Sequence, residues 1–99
     1  MPRYELKKAT QKSKKWQIKT PEGKTITFGA FGMEDFTTHR DEERKKRYIS
    51  RHKKNEDWTK SGIGTSGFWS KNLLWNQPTL AGSIKKVNQD FNIHVVKVR

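Results

Sequence analysis

The chain contains no cysteine, which excludes disulfides and thiolate metal sites and suits a reducing compartment. It is poor in acids: 10 Asp and Glu stand against 22 Lys and Arg, leaving a formal net charge of +12 over 99 residues. A field of that sign draws polyanions. Apolar material is also scarce. With 30% hydrophobic residues a chain of this length buries only a modest core as a single domain. No apolar run is long enough to cross a bilayer and no secretory leader pattern opens the chain, so a soluble protein with no membrane partner is expected. Internal repeats and low-complexity segments are absent as well.

What the chain does have is rings. Four Trp, two Tyr and five Phe argue against a wholly disordered basic tail, because each ring offers a large apolar area to a packed state. The expected organisation is one small basic domain over 1–99, with an N-terminal β-meander at 1–36 and a helical part at 37–99 that closes on a strand. Tyr4–Thr10 and Lys15–Thr20 alternate apolar and polar positions on either side of a QKSK turn, and Pro21-Glu22-Gly23 turns the chain into Thr25–Phe28. Thr38 and Asp41 have the spacing of a capping box for a helix over Arg40–Lys54. Phe68–Trp75 is apolar enough for a short buried helix that Pro78 ends. Thr79 can cap a last helix carrying Leu80, Ile84, Val87 and Phe91, and Ile93–Val98 resembles a strand. The fold class expected is α+β, a three- or four-stranded antiparallel sheet packed with two or three helices.

The helix over Arg40–Lys54 carries the leading functional signal. At about 100° per residue, Arg40, Arg44, Arg47, Arg51 and Lys54 fall within an arc of roughly 80°, while Tyr48, Ile49 and His52 occupy a flank suited to a core. The competing explanation is a solvated face in which Glu42 pairs with Lys46 and Glu43 with Arg47. Arg40, Arg44, Arg51 and Lys54 have no acid four positions earlier, which favours phosphate binding by the row. Lys7, Lys8, Lys12, Lys14 and Lys15 of the hairpin either assist on the same polyanion or keep the hairpin soluble. Phe68, Trp69 and Trp75, with Trp58, offer a stacking or interface surface, or a core; Trp16, beside lysines on a strand, is the better stacking candidate.

Other motifs lack their context. Gly62, Gly64 and Gly67 match G-x-G-x-x-G without the preceding strand and the βαβ unit that dinucleotide binding needs. Gly29-x-x-Gly32 matches the backbone-clamping loop of some RNA-binding domains but leaves a strand instead of joining two helices. His39-Arg40-Asp41 resembles a kinase catalytic loop without its companions. His39, His52 and His94 are scattered, and His39 with Asp41 or Glu43 makes at most a loose carboxylate site, so no catalytic residue, no metal and no cofactor are expected.

The segments TPEGKTITFGAFG, HRDEERKKRYISRHKKNEDWTKSG and GFWSKNLLWNQPTL, which fall in order between Tyr4 and Phe91, together resemble a family of small, basic, uncharacterised proteins encoded by giant (nucleocytoplasmic large) DNA viruses. The family has no known function, so the resemblance implies a viral context and transfers no site residue. The expectation is a non-enzymatic, virion-associated protein located in the virion and the host cytoplasm, at the viral factory. There it binds nucleic acid, DNA more than RNA, through the phosphate backbone without sequence specificity. The alternative is a minor capsid component whose basic face bridges acidic capsid protein surfaces.

Overall fold

The computed structural model describes residues 1–98. Three strands open the chain: β1 (Arg3–Lys8), β2 (Lys14–Lys19) and β3 (Thr25–Ala30). β1 alternates in burial, Tyr4 and Leu6 inside and Glu5 and Lys7 half exposed, as a period of two requires when one face meets a core. Leu6, Ile18 and Ile26 lie opposite one another across β1, β2 and β3, making an aliphatic row; Trp16 lies opposite Phe28. At the second turn the Gly23 amide donates to the Thr20 carbonyl at 2.9 Å.

After β3 the chain forms two helices where a single one is expected. α1 (Phe36–His39) is capped by Asp35, whose side chain accepts from the Thr37 amide while the Thr38 hydroxyl accepts from the Asp35 amide. Arg40 then adopts a left-handed conformation, φ 54°, and stops that helix. Asp41 caps α2 (Glu42–His52) by accepting from the amides of Glu43 and Arg44. The capping box is therefore Asp35 with Thr38, not Thr38 with Asp41, and the basic helix is shorter at both ends than Arg40–Lys54. Glu42 and Glu43 in its first turn and Arg51 and His52 in its last complement the helix dipole.

α3 (Ser66–Trp69), capped by the Thr65 hydroxyl, runs into a π-helical turn (Ser70–Leu74), so the apolar segment anticipated as one short helix changes pitch midway. α4 (Leu80–Phe91) begins at the Thr79 cap and ends at Asn92 in the left-handed conformation that asparagine tolerates. β4 (His94–Lys97) closes the sheet in the order β3-β2-β1-β4. The α+β expectation is met with four strands. The β1–β2 and β2–β3 pairs are antiparallel, but β4 pairs parallel with β1, Tyr4 opposite Val95. Parallel neighbours need a crossover, which the whole helical stretch supplies. The Asn88 side-chain carbonyl accepts from the Val95 amide at 2.8 Å and ties α4 to β4. Arg99, last residue of the HVVKVR segment, lies outside the described residues.

Phe68, Trp69, Leu73 and Leu74 fill the space between sheet and α4, against Leu6, Ile18, Phe28, Val87 and Ile93. Phe68 and Trp69 are fully buried, and the Trp69 indole N–H donates to the Ile63 carbonyl at 2.8 Å. This corrects their candidacy as stacking or interface residues: with few aliphatic side chains, the rings are the core. No helix of the described residues is long and apolar enough to cross a membrane. Removing the Trp69 ring (Trp69→Ala) is expected to cost about 3–5 kcal/mol, lowering the midpoint of a thermal melt by more than about 10 °C.

Candidate functional site

α2 buries a single residue, Tyr48. Its ring stacks on Trp75 at 4.3 Å between centroids with planes 5° apart, and His52 stacks on its other side at 4.2 Å. His39 extends the ladder, 5.2 Å from Trp75. Burial first, and the negative charge of Glu56 next, push the Tyr48 phenol well above its ordinary pKa of 10.0, so it stays a neutral side chain. Glu56 braces the end of the helix, its carboxylate meeting His52 Nδ1 at 3.0 Å and accepting from the Trp58 indole N–H at 2.9 Å.

With the helix held this way, Arg44, Arg47 and Arg51 turn toward one open cleft of about 640 Å³, together with Met33, Glu34 and Trp75. A smaller cleft of about 380 Å³ adjoins it, shares Met33, Glu34, Arg51 and Trp75, and adds Lys14 and Lys15 together with the carboxylates of Asp35 and Glu56. Among the described residues one carboxylate borders the larger cleft, Glu34, and it contacts only Arg44 at 3.5 Å, with the Glu34 side chain mostly and the Arg44 side chain partly exposed. Such a pair contributes little. Among the described residues Arg47, Arg51 and Lys14 have no carboxylate within ion-pair distance. The larger cleft is a shallow cationic trough with a partly apolar floor, accessible to an extended anion and unsuited to enclosing a small one.

Of the five positions expected in one row, two do not share it. Arg40 stands between the helices, with its Nε donating to the Pro78 carbonyl at 3.1 Å. Lys54 lies beyond the end of α2 and borders neither cleft. The row is thus Arg44, Arg47 and Arg51. The Glu42–Lys46 and Glu43–Arg47 pairs of the competing solvated-face explanation do not form among the described residues; Glu43 instead approaches Lys46 at 3.9 Å, both exposed. Of the hairpin lysines, Lys14 lines the smaller cleft and Lys15 is committed to Asp35 at 2.6 Å in a nearly buried pair. Lys7, Lys8 and Lys12 border neither cleft. Trp16 is no free-standing platform: it packs at the core margin with Lys97 Nζ 5.5 Å above its ring. Trp75 does line the trough, but one face is taken by Tyr48.

Two of the three glycines in the 62–67 motif are explained by packing. A side chain on Gly62 would collide with the Asp57 carbonyl, and one on Gly67 would meet the Glu56 carboxyl at 2.8 Å. Nowhere among the described residues do three His, Asp or Glu side chains gather as a metal site would need. Sequence reasoning missed Met33, Glu34 and Ser50, which line the trough. The one signal available for the first two was the Asp35-x-x-Thr38 spacing, which fixes the loop that carries them against the start of α1.

Residues 4–52, from β1 to the end of α2, match the family described as Family of unknown function (DUF5754). No curated protein and no solved structure matches the chain. The family match spans all three arginines of the trough and leaves out α3, α4 and β4.

The positive field also reaches a residue outside the trough. Lys71, over the Trp58 ring at 5.4 Å, has its pKa lowered from the ordinary 10.5 by burial first and by the charge of Lys45 next, with Asp90 opposing. Its charged form is therefore disfavoured in the folded state. It weakens the fold at pH values below its folded pKa, and the penalty fades as pH climbs toward 10.5. Lys71→Met, which keeps a contact with the indole, is expected to raise the thermal midpoint at neutral pH, with the gain shrinking as pH rises; melts across that range measure it.

Proposed function

We propose that this protein is a non-enzymatic binder of nucleic-acid backbones, indifferent to sequence, that grips phosphates with Arg44, Arg47 and Arg51 and is assisted by Lys14. The observation that supports this most directly is the convergence of three guanidiniums on one open trough in which a single, loosely engaged carboxylate opposes them. Exposed guanidiniums keep their hydration until a phosphate arrives, and each contact releases a condensed counterion, so affinity comes mainly from salt-sensitive attraction. The net charge of +12 steers the encounter. Base edges need not be read for any of this.

For its setting we infer, from the resemblance of the three segments to giant-virus proteins, a role with packaged or replicating viral DNA in the virion or the viral factory. Capsid bridging has no observation of its own in its favour, since the rings that would anchor it, Phe68 and Trp69, are interior and Trp75 is stacked on Tyr48.

Charge reversal at the two arginines without carboxylate partners tests the reading. Arg47→Glu with Arg51→Glu is expected to weaken binding to duplex DNA at least about tenfold at about 0.15 M salt and to flatten the plot of log affinity against log salt by about 2, because two phosphate contacts are lost. Circular dichroism should be unchanged, both side chains being exposed. Undiminished retention of the double variant on duplex DNA at that salt would overturn it.

A further inference from the structure

Among the described residues three large apolar side chains stand mostly in water, and two of them, Phe31 at 72% and Met33 at 64% exposure, share one turn. The turn is built to hold that shape. The Met33 amide donates to the Ala30 carbonyl at 3.2 Å and Gly32, third of the four residues, has φ +87°, a value that only glycine adopts without strain. Gly29 just before it has φ +77°, and a side chain there would meet Leu74 at 2.8 Å. The Phe31 amide donates to the Ser13 carbonyl at 3.0 Å, which fastens the turn to the lysine-bearing β1–β2 connection. Backbone bonds thus present the Phe31 ring at the apex, where no packing requires a ring.

The surroundings say what the ring meets. On one side Ala30 pairs with Lys14 at the start of β2, and Lys12 precedes it in the β1–β2 connection. On the other, Met33 lines the trough of Arg44, Arg47 and Arg51. An apolar ring set between two groups of cations matches a ligand that is anionic along its length and offers flat apolar faces at intervals. Unpaired nucleotides have that chemistry; a duplex keeps its base faces stacked inside and yields them only at the cost of unstacking.

Resting on the phosphate-binding reading above, we propose that Phe31 is a stacking platform for an unpaired base, and that the protein engages single-stranded nucleic acid across the β3–α1 turn, with phosphates on the trough arginines and Lys14. Met33 supplies a soft contact beside the stacked base.

The test titrates the full chain with a labelled oligothymidine and with a duplex of equal length at one salt concentration, for the parent protein, Phe31→Ala and Phe31→Trp. Phe31→Ala is expected to lose single-strand affinity about tenfold or more while duplex affinity stays as it was, and Phe31→Trp to retain single-strand affinity with its added indole quenched on binding. Equal single-strand affinity for the parent and Phe31→Ala overturns the stacking role and leaves phosphate binding standing; the ring would then be a contact for protein. Parallel loss on both strand forms also overturns it, since losing a stack on an unpaired base leaves a duplex complex unchanged. A parent chain that holds neither strand form defeats the phosphate reading, and this one with it.

Discussion

The attachment of the basic helix centres on one aromatic stack. α2 carries charge on most of its surface and buries only Tyr48, so the Tyr48–Trp75 pair sets its position against the body, helped by Lys45, whose ammonium donates to the Asn76 carbonyl at 2.6 Å. At about 100° per residue, Arg44, Arg51 and Arg47 lie roughly 40°, 60° and 100° to one side of Tyr48. Seating the tyrosine on Trp75 therefore swings all three guanidiniums toward the groove that Trp75 borders. The π-helical turn matters here as well, because it delivers Trp75 immediately after Leu74 enters the core. A site that is polar in character is held in place by an apolar contact.

The distribution of the acids explains the surface as much as the abundance of lysine and arginine does. Asp35 caps α1 and neutralises Lys15; Asp41 caps α2. Glu56 holds His52 and Trp58 together. Asp57 accepts from the Thr59 amide and from the Thr59 and Ser61 hydroxyls, bonds that lower its pKa. With so many carboxylates engaged in caps and turns, few remain to face the arginines, and Glu34 is the one bordering the trough. Shaping loops with acids leaves the exterior cationic.

Scarcity of aliphatic side chains has a parallel effect in the interior. Phe68, Trp69 and Phe28 provide bulk that other small domains take from leucine and isoleucine, and their flat shapes demand specific neighbours: Trp69 tilts against Tyr4 at 5.3 Å and Phe68 meets Phe91 edge-on at 5.0 Å. Among the described residues the turn that departs from this pattern is Ala30–Met33, where the side chains of Phe31 and Met33 point outward beside the cations.

Local chemistry was enough to determine several elements. Period-two alternation around Leu6, the Pro21-Glu22-Gly23 turn, the Thr79 cap and the Leu80–Phe91 helix depend on interactions within a few residues, and they stand as the sequence implies, whereas β2 forms with nearly uniform partial burial around Ile18. Charge imbalance and the helical spacing of Arg44, Arg47 and Arg51 were equally legible. Other outcomes required the assembled fold. Two capping patterns overlap at Asp35, Thr38 and Asp41, and the chain uses Asp35 and Asp41, so Arg40 leaves the row; the contact of its side chain with Pro78 spans 38 positions and has no local signature. The direction of β4 depends on a crossover through the whole helical stretch, and alternation is the same in a parallel or an antiparallel strand. Whether a ring is core or surface is likewise decided by what packs over it: Trp69 is interior and Phe31 exposed because α4 and the sheet enclose the first, while glycine backbone conformations turn the second out into solvent.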